Sequence, residues 1–475
     1  MIYIILLKGP KVVGSNANEI GAVNYILKQV NEIEKFNSNA GNVTVDHQIV
    51  SGVNFGTSIY KNLQNIVVRV QGKTDHAVML NCHFDSVAGS PGASDDIANC
   101  CIMLEILRVV STDYRHEHTI IFLFNGSEEE DLQAAHGFIT QHKWAKDVRA
   151  YINLESTGSD GREILFRTGP KHDWLVKKYR ESVKRPFGQE LAEELFETGV
   201  IPSATDFQIF RDNGEIPGLD FAHVENGWRY HTNYDSIHYL SKKMLQHTGE
   251  NILGLTKSLA NSEELPNPPE GTHAVYFDFL GFFFISYTKN TGVIINIIIS
   301  IFTVLITFLV QIKFRLVNFK RELLETVFSF VTVLVGSVLS LAVCYGMAAI
   351  MNQLDKTMTF FNVIFLSIGI YCSLAVIVQI GTQHLCSVIC DYIYQKRESK
   401  AVNRSPRDTL RAFLNGVNLF WALATIVIMS NGFRFGYITM VMLFISLCTN
   451  VVIFIFCDSG WLATSEYLFN FYTTL

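Results

Sequence analysis

Apolar and polar positions recur with two different periods along the first 260 residues. Over Ala17–Phe36, the residues Ile20, Val23, Ile26, Leu27 and Val30 fall at helical spacing on one face. Val43–Val50 and Ile66–Gln71 read as strands. Ala77–Asn81 is a short continuous apolar run, the pattern of a strand covered on both faces. Ile97–Val110 returns to helical spacing, and Thr119–Phe124 and Ala150–Leu154 are further buried strands. Leu165 lies in a fourth strand candidate, while Trp174–Val183 and Ser241–Ala260 read as helices. Strands alternating with helices predict an α/β domain, a layered and mostly parallel sheet flanked by helices. Such sheets hold ligands at the carboxyl ends of their strands.

The pattern changes at about Val275, beyond which long stretches carry almost no charge. A span needs about 20 mostly apolar residues. Five stretches qualify: Gly292–Ile312, Val327–Ile350, Phe361–Ile380, Leu414–Ser430 and Gly436–Cys457. The Phe-rich run Val275–Tyr287 is shorter and is expected to lie at the membrane interface. The expected division is a domain outside the membrane over residues 1–265, a linker or interfacial segment over 266–291, and an all-α, multi-span membrane domain of about five helices over 292–475. The spans contain essentially no ionisable residue, which favours an anchor or assembly role over a transporter.

Loop charges orient this arrangement. Lys313, Arg315, Lys320 and Arg321 follow the first span; Lys396, Arg397, Lys400, Arg404, Arg407 and Arg411 follow the third. The other loops, around Asp355–Lys356 and Arg434, carry little positive charge. Basic loops favour the cytoplasmic side, which places the soluble half in a lumen or outside the cell. The sequon Asn42-Val43-Thr44 fits that placement, whereas Asn125-Gly126-Ser127 falls where the candidate chemistry lies. The opening run MIYIILLKGP is too short for the apolar region of a signal peptide, so an upstream crossing segment is expected.

Composition narrows the function. The 475 residues carry a net charge of −6 with no concentrated basic face, which argues against a nucleic-acid partner. Of nine cysteines, only Cys82, Cys100 and Cys101 lie in the first half, and none forms a CxxC pair. A thiolate zinc site is therefore unsupported; a Cys82–Cys100 disulfide and buried free thiols both remain open.

Four clusters follow predicted strands or open a helix: His83-Phe84-Asp85, Ser94-Asp95-Asp96, Ser127-Glu128-Glu129-Glu130, and Glu155 in NLES. His231, in YHTNYD, completes the set. Singly, each has an ordinary explanation: Ser-Asp-Asp can cap a helix, and three glutamates in a loop are usually a solvated face. Together, at successive strand ends of one sheet, they would crowd negative charge into one cleft, which divalent cations would relieve. Imidazole and carboxylate without thiolate suit zinc, and two His with three carboxylates suffice for a two-metal site.

HFDSVAGSPGASDD, FLFNGSEEEDLQAAHGF, NLES, and the TDF and YHT segments together resemble family M28 metallopeptidases in order and spacing. The resemblance implies two zinc ions per chain and an aminopeptidase acting on peptide or protein substrates. By motif position, it implies His83 and Glu155 as ligands of separate ions, Asp95 as the bridge, Glu129 as a ligand, and His231 as the ligand that completes the second metal's shell. Glu128 would be the general base, Asp85 would orient the His83 imidazole, and Tyr230 would donate to the oxyanion. Glu155 stands where many members carry Asp. The competing readings are a single-zinc glutaminyl cyclase of the same fold, a catalytically silent membrane scaffold, and a transporter with an accessory ectodomain. The lipid bilayer is an expected partner; the sequence leaves oligomeric state open.

Overall fold

The computed structural model describes residues 9–36, 42–112, 115–169, 171, 173–313, 319–360, 363, 365–398 and 406–456. The chain divides into two compact units, Met1–Lys289 and Asn290–Leu475.

The first unit is built on strands β1 (Val43–Asn54), β2 (Ser58–Val70), β3 (Thr74–His83), β4 (His118–Asn125), β5 (Val148–Ser156), β6 (Ile164–Thr168) and β7 (Gly218–His223). Their order in the sheet is β1-β2-β4-β3-β5-β7-β6. The central four, β4, β3, β5 and β7, pair in parallel. The edges pair antiparallel, β1 on β2, β2 on β4 and β6 on β7.

Helices cover both faces: α1 (Val23–Phe36), α2 (Asn99–Thr112), α3 (Gln133–Gln141), α4 (Asp173–Ser182), α5 (Glu190–Glu197), α6 (Asp206–Asp212) and α7 (Lys242–Ala260). Alternate strand residues select the face. Val78, Leu80, Ile120, Phe122 and Ile152 pack with Val30 of α1, Met103 of α2, Tyr179 of α4 and Leu255 of α7. Met79, Ile121, Leu123 and Tyr151 pack with Phe138 of α3 and with Phe207 and Phe210 of α6. Complete burial of such side chains contributes about 1.5–3 kcal/mol each relative to exposure.

Several elements differ from the sequence expectation. β7 breaks the continuous apolar pattern with Asp220 and His223, yet every residue in it is buried. Asp220 is accommodated because Arg167 pairs with it at 2.6 Å and Asn153 donates to it at 2.9 Å. The seven-residue α6 and the acidic α5 are too short to display a helical period. β2 begins eight residues before the apolar run that marks its buried half.

The run expected at the membrane interface forms a hairpin, β8 (Ala274–Phe279) and β9 (Phe283–Thr288), and the soluble unit extends past residue 265 to Lys289. Ala274 and Tyr276 fill the main core, which is why the boundary lies later than composition suggests.

The second unit contains α8 (Lys289–Lys313), α9 (Phe319–Gln353), α10 (Ser373–Glu398), α11 (Pro406–Ser430) and α12 (Tyr437–Phe456). Among the described residues, four segments are long and apolar enough to cross a membrane: Lys289–Val310, Leu323–Gln353, Phe365–Ile393 and Phe413–Ser430. The fifth expected span is represented by a shorter apolar stretch, Tyr437–Val452. The longer second and third segments take in Glu325, His384 and Asp391, so ionisable residues are not absent from them. Residues 1–8, 314–318, 399–405 and 457–475, which include the opening run and parts of both basic loops, lie outside the described residues.

Candidate active site

Topology brings the predicted residues together. β3 lies between β4 and β5; the chain leaves β3 through α2 on one face and leaves β4 through α3 on the other. Crossovers on opposite faces open a crevice at the carboxyl end of β3. His83 is the last residue of β3, and Glu155 is the penultimate residue of β5. Glu128 and Glu129 occupy the turn after β4, Asp95 the irregular helical turn before α2, and His231 the loop after β7. Gly92 opens the Asp95 turn with φ +64°, and a Cβ there would stand 2.6 Å from the Asp95 carbonyl oxygen.

Asp95 is the centre of the arrangement. Its Oδ1 lies 3.2 Å from His83 Nε2, and its Oδ2 lies 3.2 Å from His231 Nε2. Glu155 Oε2 approaches His83 Nε2 at 3.6 Å, and Glu129 Oε2 approaches His231 Nε2 at 3.1 Å. His83, Glu128 and Glu155 bring donor atoms within 4.8 Å of one another, as do His83, Asp95 and Glu129. Glu128 therefore stands on the His83 side, while Glu130 faces solvent. Both Nε2 atoms, Glu129 Oε1 and Glu155 Oε1 are buried without a hydrogen-bond partner. Convergent, orphaned imidazole and carboxylate donors are the chemistry a divalent metal requires, so the residues present fit zinc.

The electrostatics describe the same need for positive charge. Burial, then the neighbouring Glu155, pushes Glu128 well above the usual carboxylate range. Burial raises Glu155 to about 8 and also raises Glu129. Burial opposes a charge on His231, but Asp95 and Glu129 outweigh it and lift the imidazole to about 9. For Asp95, burial is likewise outweighed, here by His231 and His83, and its carboxyl falls below the ordinary value.

Asp85 does more than the HxD spacing suggests. Its carbonyl oxygen lies 3.2 Å from His83 Nδ1 and its Oδ1 3.4 Å from the same nitrogen. Its carboxylate also accepts the backbone N–H groups of Glu128 and Glu129, both at 3.0 Å. One side chain therefore sets both the imidazole and the acid pair. Tyr230 stacks on His231 with ring centroids 3.7 Å apart.

Four buried residues behind the site carried no separate sequence signal. Asp96 accepts His83 N–H at 3.3 Å and the Asn99 amide at 2.5 Å. Asp206 accepts the Asn81 and Asn125 amides at 2.8 and 2.6 Å, and burial raises it to about 7. Asn125, wholly buried and so engaged, is not a surface sequon. Asp235 holds the backbone at Ser94–Asp95, and Lys11 holds the loop before it. TDF and YHTNYD contain two of these aspartates, but nothing in their spacing marks them as buried. The Cys82 and Cys100 sulfurs lie 2.6 Å apart, beneath His83.

Residues 65–256 match the model of peptidase family M28. Endoplasmic reticulum metallopeptidase 1 of Homo sapiens is 42% identical over 406 residues, 82% of this chain and 43% of that protein. A vacuolar membrane protease of Eremothecium gossypii is 32% identical over 335 residues, 66% of this chain and 32% of that protein. The chain thus spans less than half the length of these relatives. Among solved structures, the LapA aminopeptidase of Legionella pneumophila resembles 55% of this chain and 68% of its own, at 13% identity and a TM-score of 0.45. The first unit of this chain carries a peptidase family M28 domain over residues 65–256.

Proposed function

We propose that the chain is a membrane-anchored, two-zinc aminopeptidase that hydrolyses the peptide bond next to a free N-terminus. The observation that carries this reading is Asp95, whose two oxygens address two different histidines. His83 and Glu155 would hold one ion, Glu129 and His231 the other, and Asp95 would bridge them. Zinc bound there would supply Lewis acidity and acidify a water at neutral pH. Glu128, buried beside Glu155, takes the proton of the attacking water and returns it to the leaving amine. Asp85 fixes the backbone from which Glu128 and Glu129 project, so the base and its neighbouring ligand move as one unit. Tyr230 donates to the developing oxyanion.

The loop charges support a luminal active site, and the names of the relatives support a membrane of the endoplasmic reticulum or a related compartment. The test uses the full chain in detergent. Zinc content and hydrolysis of peptides with free and acetylated N-termini are compared with those of Glu128→Gln. About two zinc ions, activity only on free N-termini, and an inactive but zinc-loaded variant are expected. Cyclisation of N-terminal glutamine without hydrolysis would transfer the site to glutaminyl cyclase chemistry. A folded chain without zinc or turnover would leave a scaffold.

A further inference from the structure

The loop that delivers His231 has little regular structure to hold it. From Val224 to Leu240 it contains only two short 3₁₀ turns, and His231 itself sits at φ +58°. Apart from the imidazole itself, its hydrogen bonds to the Asp95 turn run through one residue, Asp235. Asp235, fully buried, accepts Ser94 N–H at 2.7 Å and the Ser94 hydroxyl at 2.6 Å on Oδ1, and Asp95 N–H at 3.2 Å on Oδ2. Its carbonyl oxygen accepts Ala93 N–H at 3.1 Å. Three consecutive residues ending at the bridging carboxylate therefore hang on a residue four positions from His231.

The loop before Asp95 is tied from beneath by Lys11, itself fully buried. Its Nζ donates to the Pro91 carbonyl oxygen at 2.5 Å, its N–H donates to Ser86 Oγ at 2.8 Å, and its carbonyl accepts Ser86 N–H at 3.1 Å. Burial pulls this ammonium down to about 8, with the negative charge of Asp235 the largest influence against that pull. A fully buried carboxylate whose two oxygens accept three donors is a rigid strut, costly to disturb.

We infer that Asp235 is a positioning residue that sets His231 against Asp95 Oδ2 and so builds the outer half of the metal site. This rests on the two-zinc reading above. Substitution should act first on the outer half, because its histidine rides on the same loop as Asp235, whereas His83 and Glu155 project from strand ends that Asp235 does not touch.

The experiment measures zinc stoichiometry and affinity of the purified full chain, wild type against Asp235→Asn and Ser94→Ala. Thermal unfolding of the metal-free chains runs alongside. In Asp235→Asn the amide keeps the shape, but a donor replaces the oxygen that accepts Asp95 N–H. Zinc content should fall from about two to about one per chain, with the affinity of the lost ion down about 10–100-fold, and with a smaller drop in Ser94→Ala. Metal-free unfolding temperatures should change far less than the zinc-induced stabilisation does. A merely structural role predicts the reverse: lower metal-free stability with both ions retained. Two ions at wild-type affinity in both variants would overturn the proposal and leave the two-zinc reading standing. A wild-type chain that binds no zinc would remove both. Should Asp235→Asn not fold, Ser94→Ala alone decides, since it removes only the hydroxyl bond to Oδ1.

Discussion

The two halves of the site are built differently. His83 and Glu155 stand on adjacent central strands, with side chains 1% and 8% exposed. His231 and Glu129 stand on loops, and the imidazole is 35% exposed against 10% for the carboxylate. The inner pair inherits its position from the sheet register; the outer pair depends on turns pinned by Asp85 and Asp235. Loops open at lower free energy than core strands. An ion held by the outer pair should therefore exchange faster and bind more weakly than one held by the inner pair, although the two ligand sets are chemically alike.

The sharpest way to break this comparison is to remove one imidazole from each half. His83→Ala strips the inner half and leaves Glu155, Asp95 and Glu128 crowded without an opposing group. Zinc should be lost from both positions, and kcat/KM should fall by about 10³-fold or more, several kcal/mol of transition-state stabilisation. His231→Ala should retain one tightly bound ion and measurable turnover. Equal metal loss in the two variants would mean that the strand–loop difference has no energetic consequence.

Asp85 touches both halves, so its replacement sharpens the comparison. Asp85→Asn keeps the carbonyl contact to His83 but turns an amide toward one of the two backbone donors it now accepts. Activity and the affinity of both ions should drop together by about 10–100-fold. A loss confined to His83's side would show that the bonds to Glu128 and Glu129 do not position the acids.

The same contrast explains what was legible in the sequence. The central strands are continuous apolar runs, and the acids and His83 follow them directly, so the inner half could be placed from pattern alone. β7 was missed because Asp220 interrupts the run and is made tolerable only by Arg167, 53 positions away. Asp235 and Lys11 were missed for the same reason: a polar residue becomes structural through partners far along the chain, and periodicity records only near neighbours. The run after residue 265 did not read as a hairpin because an aromatic run looks alike whether it covers a core or meets lipid. Within the family motif, the Gly126–Ser127 lead-in and the spacing to Leu132 separate Glu128 and Glu129 from Glu130.

The smallest expected effect concerns the strands beneath the inner half. His223 ends β7 opposite Ser156, next to Glu155, and burial holds its imidazole neutral down to about 4 despite the nearby Glu163. An unfolded chain takes up that proton near its ordinary value of 6.5, so the unfolded state binds more protons between pH 6.5 and 4. The stabilisation from a neutral His223 is complete above pH 6.5 and is lost as the pH falls through this window. Between pH 6.5 and 5.5 its share is about 1 kcal/mol. The carboxylates of the metal-free site titrate too, so the informative quantity is the difference between wild type and His223→Gln. Urea unfolding of metal-free chains should show wild type losing that amount relative to the variant as the pH drops. If the two lose stability in parallel, His223 is protonated in the folded sheet, and the strands under the inner half are wetter than their burial implies.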